Sequence, residues 1–224
     1  MQEVYTQSTT ARSVEVNKVL RNTYMLLALT LLFSTVTAGI SMAVGIGRGA
    51  SLVMSIAALG LIWFVLPRTA NSGAGLGVVF AFTGLIGASL GPLLSHYLSA
   101  ANGPAIVLQA LGGTAITFLA LSGYTLVSRK NFSFLGGFVT IGIIVMLLAM
   151  LALFAASFFG LNVSGLSLAF SAGVILLMSA LILYQTSEII HGGETNYLLA
   201  TTSLYLSIVN IFTSLLHLLG MADD

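Results

Sequence analysis

Polar side chains recur at helical spacing in the last third of the chain. Ser203, Ser207, Asn210, Ser214 and His217 step by 4, 3, 4 and 3 residues, which puts all five on one face of a helix. Leu204, Ile208, Ile211, Leu215 and Leu218 form a neighbouring apolar strip. Two kinds of chemistry fit such a stripe. Its groups can hydrogen-bond across to other helices, each bond contributing about 0.6–2 kcal/mol, or they can line a wetted cavity or ion path. Either role turns the stripe toward a protein interior. Near the amino terminus Thr23, Thr30, Ser34, Thr37 and Ser41 repeat the idea.

Ionisable groups are scarce. No charge lies between Arg68 and Arg129, or between Lys130 and Glu188. Glu188 follows Gln185 by three positions and shares its helical face. It reads either as an interfacial residue whose carboxylate reaches water or as a proton- or cation-sensing group. His191 and Glu194 flank a Gly192-Gly193 turn, but two ligands without a third do not make a metal site. His96 and His217 read as interfacial hydrogen-bonding residues. There is no cysteine, hence no disulfide and no thiolate chemistry. There is no zinc-protease His-Glu-x-x-His, no Gly-x-Ser-x-Gly elbow and no carboxylate pair within one apolar run. No enzymatic activity and no cofactor are therefore expected.

The elements that carry these residues follow from composition. Charged residues make up 6% and hydrophobic residues 58% of the 224-residue chain, where a soluble domain carries roughly 25% charged residues. A net charge of +1 without Lys/Arg clusters excludes nucleic acid as a partner. The expected fold is an all-α integral membrane protein lodged in the lipid bilayer. Seven apolar runs reach or approach the roughly 20 residues a crossing requires: 23–45, 50–66, 75–97, 104–127, 132–158, 163–190 and 197–220. The second is short, and the fifth and sixth are long. The runs are continuous rather than alternating, which excludes a β-barrel. Pro104 suits the first turn of its helix.

Glycines recur at packing spacings. Gly84, Gly87 and Gly91 lie in the third run, Gly112-Gly113 in the fourth, and Gly136-Gly137 with Gly142 in the fifth. Small residues let membrane helices approach closely. Gly73-Ala-Gly75-Leu-Gly77 lacks the strand and the Lys-Ser/Thr ending of a phosphate loop.

Arg12, Lys18, Arg21, Arg68, Arg129 and Lys130 fall on one side of the membrane and only Arg48 on the other. This bias predicts a cytosolic amino terminus and an external carboxyl terminus at Asp224. Residues 1–21 form a polar cytosolic tail, with 1–12 mobile, and 22–224 form one transmembrane domain. The first apolar run is full-length and lacks a signal-peptide cleavage pattern, so it is expected to act as an uncleaved anchor.

The string from Glu188 through His191-Gly-Gly-Glu-Thr-Asn-Tyr197, followed by Ser203-Leu-Tyr-Leu-Ser207-Ile-Val-Asn210-Ile-Phe212, resembles the Bax inhibitor 1 family. More closely it resembles the bacterial branch of modulators of the FtsH protease. Val19-Leu-Arg21-Asn-Thr-Tyr24 and Phe134-Leu-Gly-Gly137 fit as well. The resemblance runs from residue 17 onward. It implies a seven-helix bundle with its last helix near the centre, in the bacterial inner membrane. It implies binding to the membrane ATP-dependent protease FtsH and restraint of its action on membrane substrates, with the amino-terminal tail as the segment the protease grips. Other members are pH-sensitive calcium leak pathways gated by an aspartate pair in the sixth and seventh helices. Those positions are Gln185 and Ser207 here, and neither ionises. The candidate polar face comprises Glu188, Ser203, Asn210, Ser214 and His217. The alternative to protease modulation is a calcium or cation leak channel, with calcium as the transported ion.

Overall fold

The computed structural model describes the backbone of residues 2–161 and 163–223, and the side chains of 14–161 and 163–222. The side chains of the expected tail, residues 1–12, and the carboxyl-terminal Asp224 lie outside the described residues. Among the described residues the structure is helical and contains no strand. Seven helices are long and apolar enough to cross a membrane. We number them α1 (Gln2–Val44), α2 (Arg48–Thr69), α3 (Ala74–Leu98), α4 (Gly103–Ser128), α5 (Leu135–Phe158), α6 (Ser164–His191) and α7 (Tyr197–Asp223). The expected all-α, seven-span architecture is the one observed.

The first helix begins at Gln2, well before the expected residue 23, and two further spans differ in extent from expectation, each for a local reason. The second is a full 22 residues, because the helix runs on through Pro67. Proline has no N–H to donate and its ring crowds the carbonyl four residues back. The helix accommodates it by widening into a π-helical stretch at Leu61–Val65 before Leu66–Thr69 returns to α geometry. The fifth begins at Leu135 rather than 132. The Asn131 side-chain oxygen accepts the Ser133 N–H at 2.8 Å, and the Phe132 N–H donates to Ser187 Oγ at 2.9 Å. These bonds hold the chain in a turn where an apolar residue count alone continues the helix.

The chain divides into two compact units. The first comprises Met1–Ser99 with Ile189–Tyr205, and the second Ala100–Glu188 with Leu206–Asp224. In the first unit, the hydroxyl stripe of α1 meets the glycines of α3. Thr23, Thr30, Ser34 and Ser41 are all buried. A Cβ on Gly87 would run into the Ser34 carbonyl and hydroxyl and the Thr37 hydroxyl, and one on Gly91 would strike Ser41. The close approach lets Ser41 Oγ donate to the Ala88 carbonyl at 2.6 Å, and Ser51 Oγ on α2 donates to Ser89 O at 2.5 Å. Leu26, Leu66, Val79 and Leu198 form an apolar cluster in the same unit.

In the second unit, Gly136 lies against Tyr184, Gly142 against Leu177, Gly173 against Met146 and Gly113 against Leu215. The packing role expected of the glycines thus holds for Gly84, Gly87, Gly91, Gly113, Gly136 and Gly142. Gly112 and Gly137 face open space, since adjacent residues on a helix point about 100° apart and only one of a Gly-Gly pair meets the neighbour. Burial differs sharply between helices. In α7, 44% of the most apolar window is buried, against 6% in α5 and 11% in α2. The last helix is the most enclosed, and both units share it.

Gly87→Ala should destabilise the protein by about 1–3 kcal/mol, since the added methyl meets a backbone carbonyl that cannot swing aside. Gly39→Ala, with nothing within 4 Å of the new methyl, should leave thermal unfolding in detergent unchanged.

Candidate functional site

The α6–α7 connection is built by a few polar side chains. Gly192 ends α6 with φ +74°, a left-handed conformation that a side chain disfavours. Its N–H reaches back to Ile189 O at 3.3 Å. Glu194 Oε1 then accepts the Asn196 N–H at 2.7 Å. Asn196 caps α7, its Oδ1 accepting the N–H groups of Leu198 at 2.9 Å and Leu199 at 3.3 Å. Free N–H groups at a helix start need such an acceptor. The other end of the same amide donates to Ala70 O at 2.9 Å and to Asn71 Oδ1 at 3.0 Å. One side chain therefore starts α7 and ties it to the α2–α3 turn. Glu194 is used in that turn, and His191 is exposed. No group of three or more metal-ligating side chains occurs among the described residues.

Further along α7, Tyr205 is completely buried. Its hydroxyl lies 2.6 Å from Ser34 Oγ on α1 and donates to Thr83 O on α3 at 3.3 Å, which leaves the Ser34 hydroxyl as the donor to Tyr205. The ring packs edge-on against Phe82, with centroids 5.6 Å apart. Thr201 Oγ1 donates to Tyr197 O at 2.7 Å and approaches Thr23 O at 3.2 Å. These contacts join α7 to α1 and α3 inside the first unit.

Within the second unit, Ser207 Oγ donates to Gln185 Oε1 at 3.2 Å. Ser207 is fully buried and Gln185 half-buried. Both groups are neutral, so this contact between α6 and α7 carries no charge into the span. Glu188 lies one turn further along α6 and is half-buried. Its neighbours in the chain, Thr186 and Ser187, are fully buried. Thr186 Oγ1 lies 3.4 Å from Ser122 Oγ on α4. Near the other end, His217 Nε2 is 3.3 Å from Ser167 Oγ.

The five-residue stripe on α7 does not share one environment. Ser207 and Ser214 are buried, Ser203 and His217 half-buried, and Asn210 exposed, its amide donating to Leu206 O at 2.8 Å. The expectation that Asn210 faces the interior is corrected. Three residues along a helix turn the direction by about 60° from the starting face, and the buried arc of α7 is centred on the apolar strip of Leu204, Ile208 and Ile211. The polar stripe runs along the border of that arc, with Asn210 on its outer side. Tyr205 and Asn196, outside the stripe, also join α7 to its neighbours. Their signals in the sequence were a tyrosine inside an apolar helix and an Asn directly before one, positions where a polar tip needs a partner or serves as a cap.

The comparisons with known proteins bear on what this arrangement serves. The model of the family described as inhibitor of apoptosis-promoting Bax1 matches residues 16–224. The chain belongs to this Bax inhibitor 1 family. The match takes in all seven spans. Among relatives, the modulator of FtsH protease YccA of Escherichia coli is 48% identical over 207 residues, covering 92% of this chain and 91% of the relative. A protein of Pseudomonas aeruginosa is 48% identical over 225 residues, covering 100% and 99% of the two chains. A membrane protein of Vibrio cholerae is 46% identical over 217 residues, covering 97% and 95%. A relative from another Escherichia coli strain, also 48% identical over 207 residues, is named inner membrane protein YccA. These names describe membrane proteins and a modulator rather than an enzyme. For this Bax inhibitor 1 member, the segment that carried the resemblance, His191 to Tyr197, is the stop, turn and cap that launch the most enclosed helix.

Asn196→Ala should lower stability by about 1–2 kcal/mol, the usual cost of a lost cap, read as a fall in melting temperature. Asn196→Asp keeps an acceptor for the cap but loses the amide donors to Ala70 and Asn71, and should fall between the two.

Proposed function

We propose that the protein resides in the bacterial inner membrane, binds the membrane ATP-dependent protease FtsH and restrains its action on membrane substrates. The observation that carries this reading is the 48% identity, over nine-tenths of both chains, with a protein named as a modulator of that protease. Burial is consistent with it: only 6% of the apolar window of α5 and 11% of that of α2 are buried, which leaves apolar surface for lipid or a lipid-embedded partner. In the same reading the amino terminus is cytosolic and the carboxyl terminus external, since Arg12, Lys18, Arg21, Arg68, Arg129 and Lys130 stand against Arg48 alone. The cytosolic tail over residues 1–12 is the handle the protease engages.

Degradation of a membrane substrate by FtsH in proteoliposomes should slow when this protein is added at equimolar amounts. Removing residues 2–12 should lengthen the protein's own lifetime in cells that contain the protease, with its thermal unfolding unchanged. An unaltered degradation rate would overturn the modulator reading, and an unaltered lifetime would overturn the handle.

Ion passage is the competing reading, and the neutral contact between Gln185 and Ser207 weighs against it. An acid pair there would bring two carboxylates together and raise the pKa of one. The amide and hydroxyl carry no charge at any physiological pH. Calcium flux through the unmodified protein in vesicles should therefore show no acid-dependent gating. Gln185→Asp combined with Ser207→Asp should make any flux pH-dependent. Flux through the unmodified protein that Glu188→Gln abolishes would place ion passage above protease modulation.

A further inference from the structure

The turn between α4 and α5 concentrates features that the functions above leave unused. It holds the only adjacent pair of basic residues in the chain, Arg129-Lys130. Both are exposed. Among the described residues neither cation has an ion-pair partner. The acid nearest through described contacts is Glu188, next in sequence to Ser187, which holds Phe132; it is half-buried and pairs with neither. The turn is also fixed. Arg129 adopts a left-handed conformation, φ +50°, with its N–H on Thr125 O at 2.9 Å. The bonds from Phe132 N to Ser187 Oγ and from Ser133 N to Asn131 Oδ1 hold the rest. The backbone is thus engaged internally, and the two cationic heads are what remains to be satisfied.

Aromatic and apolar groups surround those heads. The Lys130 ammonium sits 5.7 Å from the centroid of the Tyr124 ring, within the range of a cation–π contact. Tyr124 stacks obliquely on Phe132, and Phe132 on Phe134, each pair with centroids 6.1 Å apart. Tyr124 is 48%, Phe134 73% and Val127 88% exposed. Two exposed rings, the half-buried Phe132 between them and an exposed valine, beside two cations without an ion-pair partner at the ends of two membrane helices, have the amphipathic composition of the boundary between acyl chains and headgroups.

We propose that this turn binds the headgroup of an anionic phospholipid. The Arg129 guanidinium and the Lys130 ammonium hold the phosphate, and Tyr124, Phe132 and Phe134 lie among the glycerol and upper acyl groups. A soluble anion would satisfy the cations but would leave the rings and Val127 without a partner, which favours a lipid. The proposal is independent of the protease reading and of orientation, since a purified protein meets added lipid at both of its ends.

The test is retention of lipid by the full-length purified protein, read by native mass spectrometry after incubation with equal amounts of phosphatidylglycerol and phosphatidylcholine. The unmodified protein should prefer the anionic lipid. Arg129→Gln and Lys130→Gln should each reduce that preference about fivefold, from about 1 kcal/mol per juxtamembrane cation, and the double variant should abolish it. Lys130→Arg should retain it, and Arg68→Gln should leave it unchanged. All these side chains are exposed, so circular dichroism and melting temperature should match the unmodified protein. Equal retention of the two lipids by the unmodified protein, or a preference that survives the double substitution, would overturn the proposal. Displacement of the lipid by millimolar inorganic phosphate would make the turn a site for soluble anions and would overturn it equally.

Discussion

Hydrocarbon offers no hydrogen bonds. A hydroxyl or amide placed on a membrane helix must find its partner within the protein. Most features of this fold answer that requirement. Thr30, Thr114, Thr125 and Thr202 donate to carbonyls of their own helices. Ser34, Ser41 and Tyr205 reach to neighbouring helices instead, and the α3 residues that face Ser34 and Ser41 are the glycines Gly87 and Gly91. Glycine and hydroxyl thus act as one device, the first permitting an approach that the second then fixes. Thr23 is the exception, its hydroxyl buried without a partner among the described residues.

The same requirement explains how much of the fold was legible in the sequence. Continuous apolar runs define spans, so seven helices and most of their ends follow from composition. The exceptions occur where a polar side chain intervenes locally. Asn131 and Ser187 delay the start of α5, and Pro67 is absorbed by a π-helical widening that no residue count reveals. The stripe of α1 was legible because four of its five hydroxyls, those of Thr23, Thr30, Ser34 and Ser41, lie inside the buried arc, with Thr37 half-buried beside them. The stripe of α7 was less so. Spacing fixes which residues share a face, but not where that face lies relative to the neighbours. Asn210 and Ser207 differ by only about 60°, and that is the width of the border between burial and exposure.

Function was legible in a different way. Composition and the absence of acid pairs narrowed the classes, and the relatives' names describe membrane proteins and a modulator. The most specific string, His191 to Tyr197, has a structural use: Gly192 stops one helix, and Glu194 and Asn196 start the next. Family membership rests on that string and on the match across residues 16–224. A sequence can thus be most distinctive where its helix caps are most demanding.

The division of α7 between the two compact units has a consequence for biogenesis. Neither unit is a continuous stretch of chain, since each takes part of its helical complement from the region after residue 188. Six spans can enter the membrane before Tyr197 is made, yet both units wait for the same helix, whose 27 residues take roughly 1–5 s to synthesise at typical rates. During that interval the Ser34 hydroxyl lacks Tyr205 and the Gln185 amide lacks Ser207. Assembly is therefore decided late and in both units together. Until then the contacts of α1 and α2 with α3 at Ser41–Ala88 and Ser51–Ser89 are open to the chain, while those that Tyr205 and Ser207 supply are not.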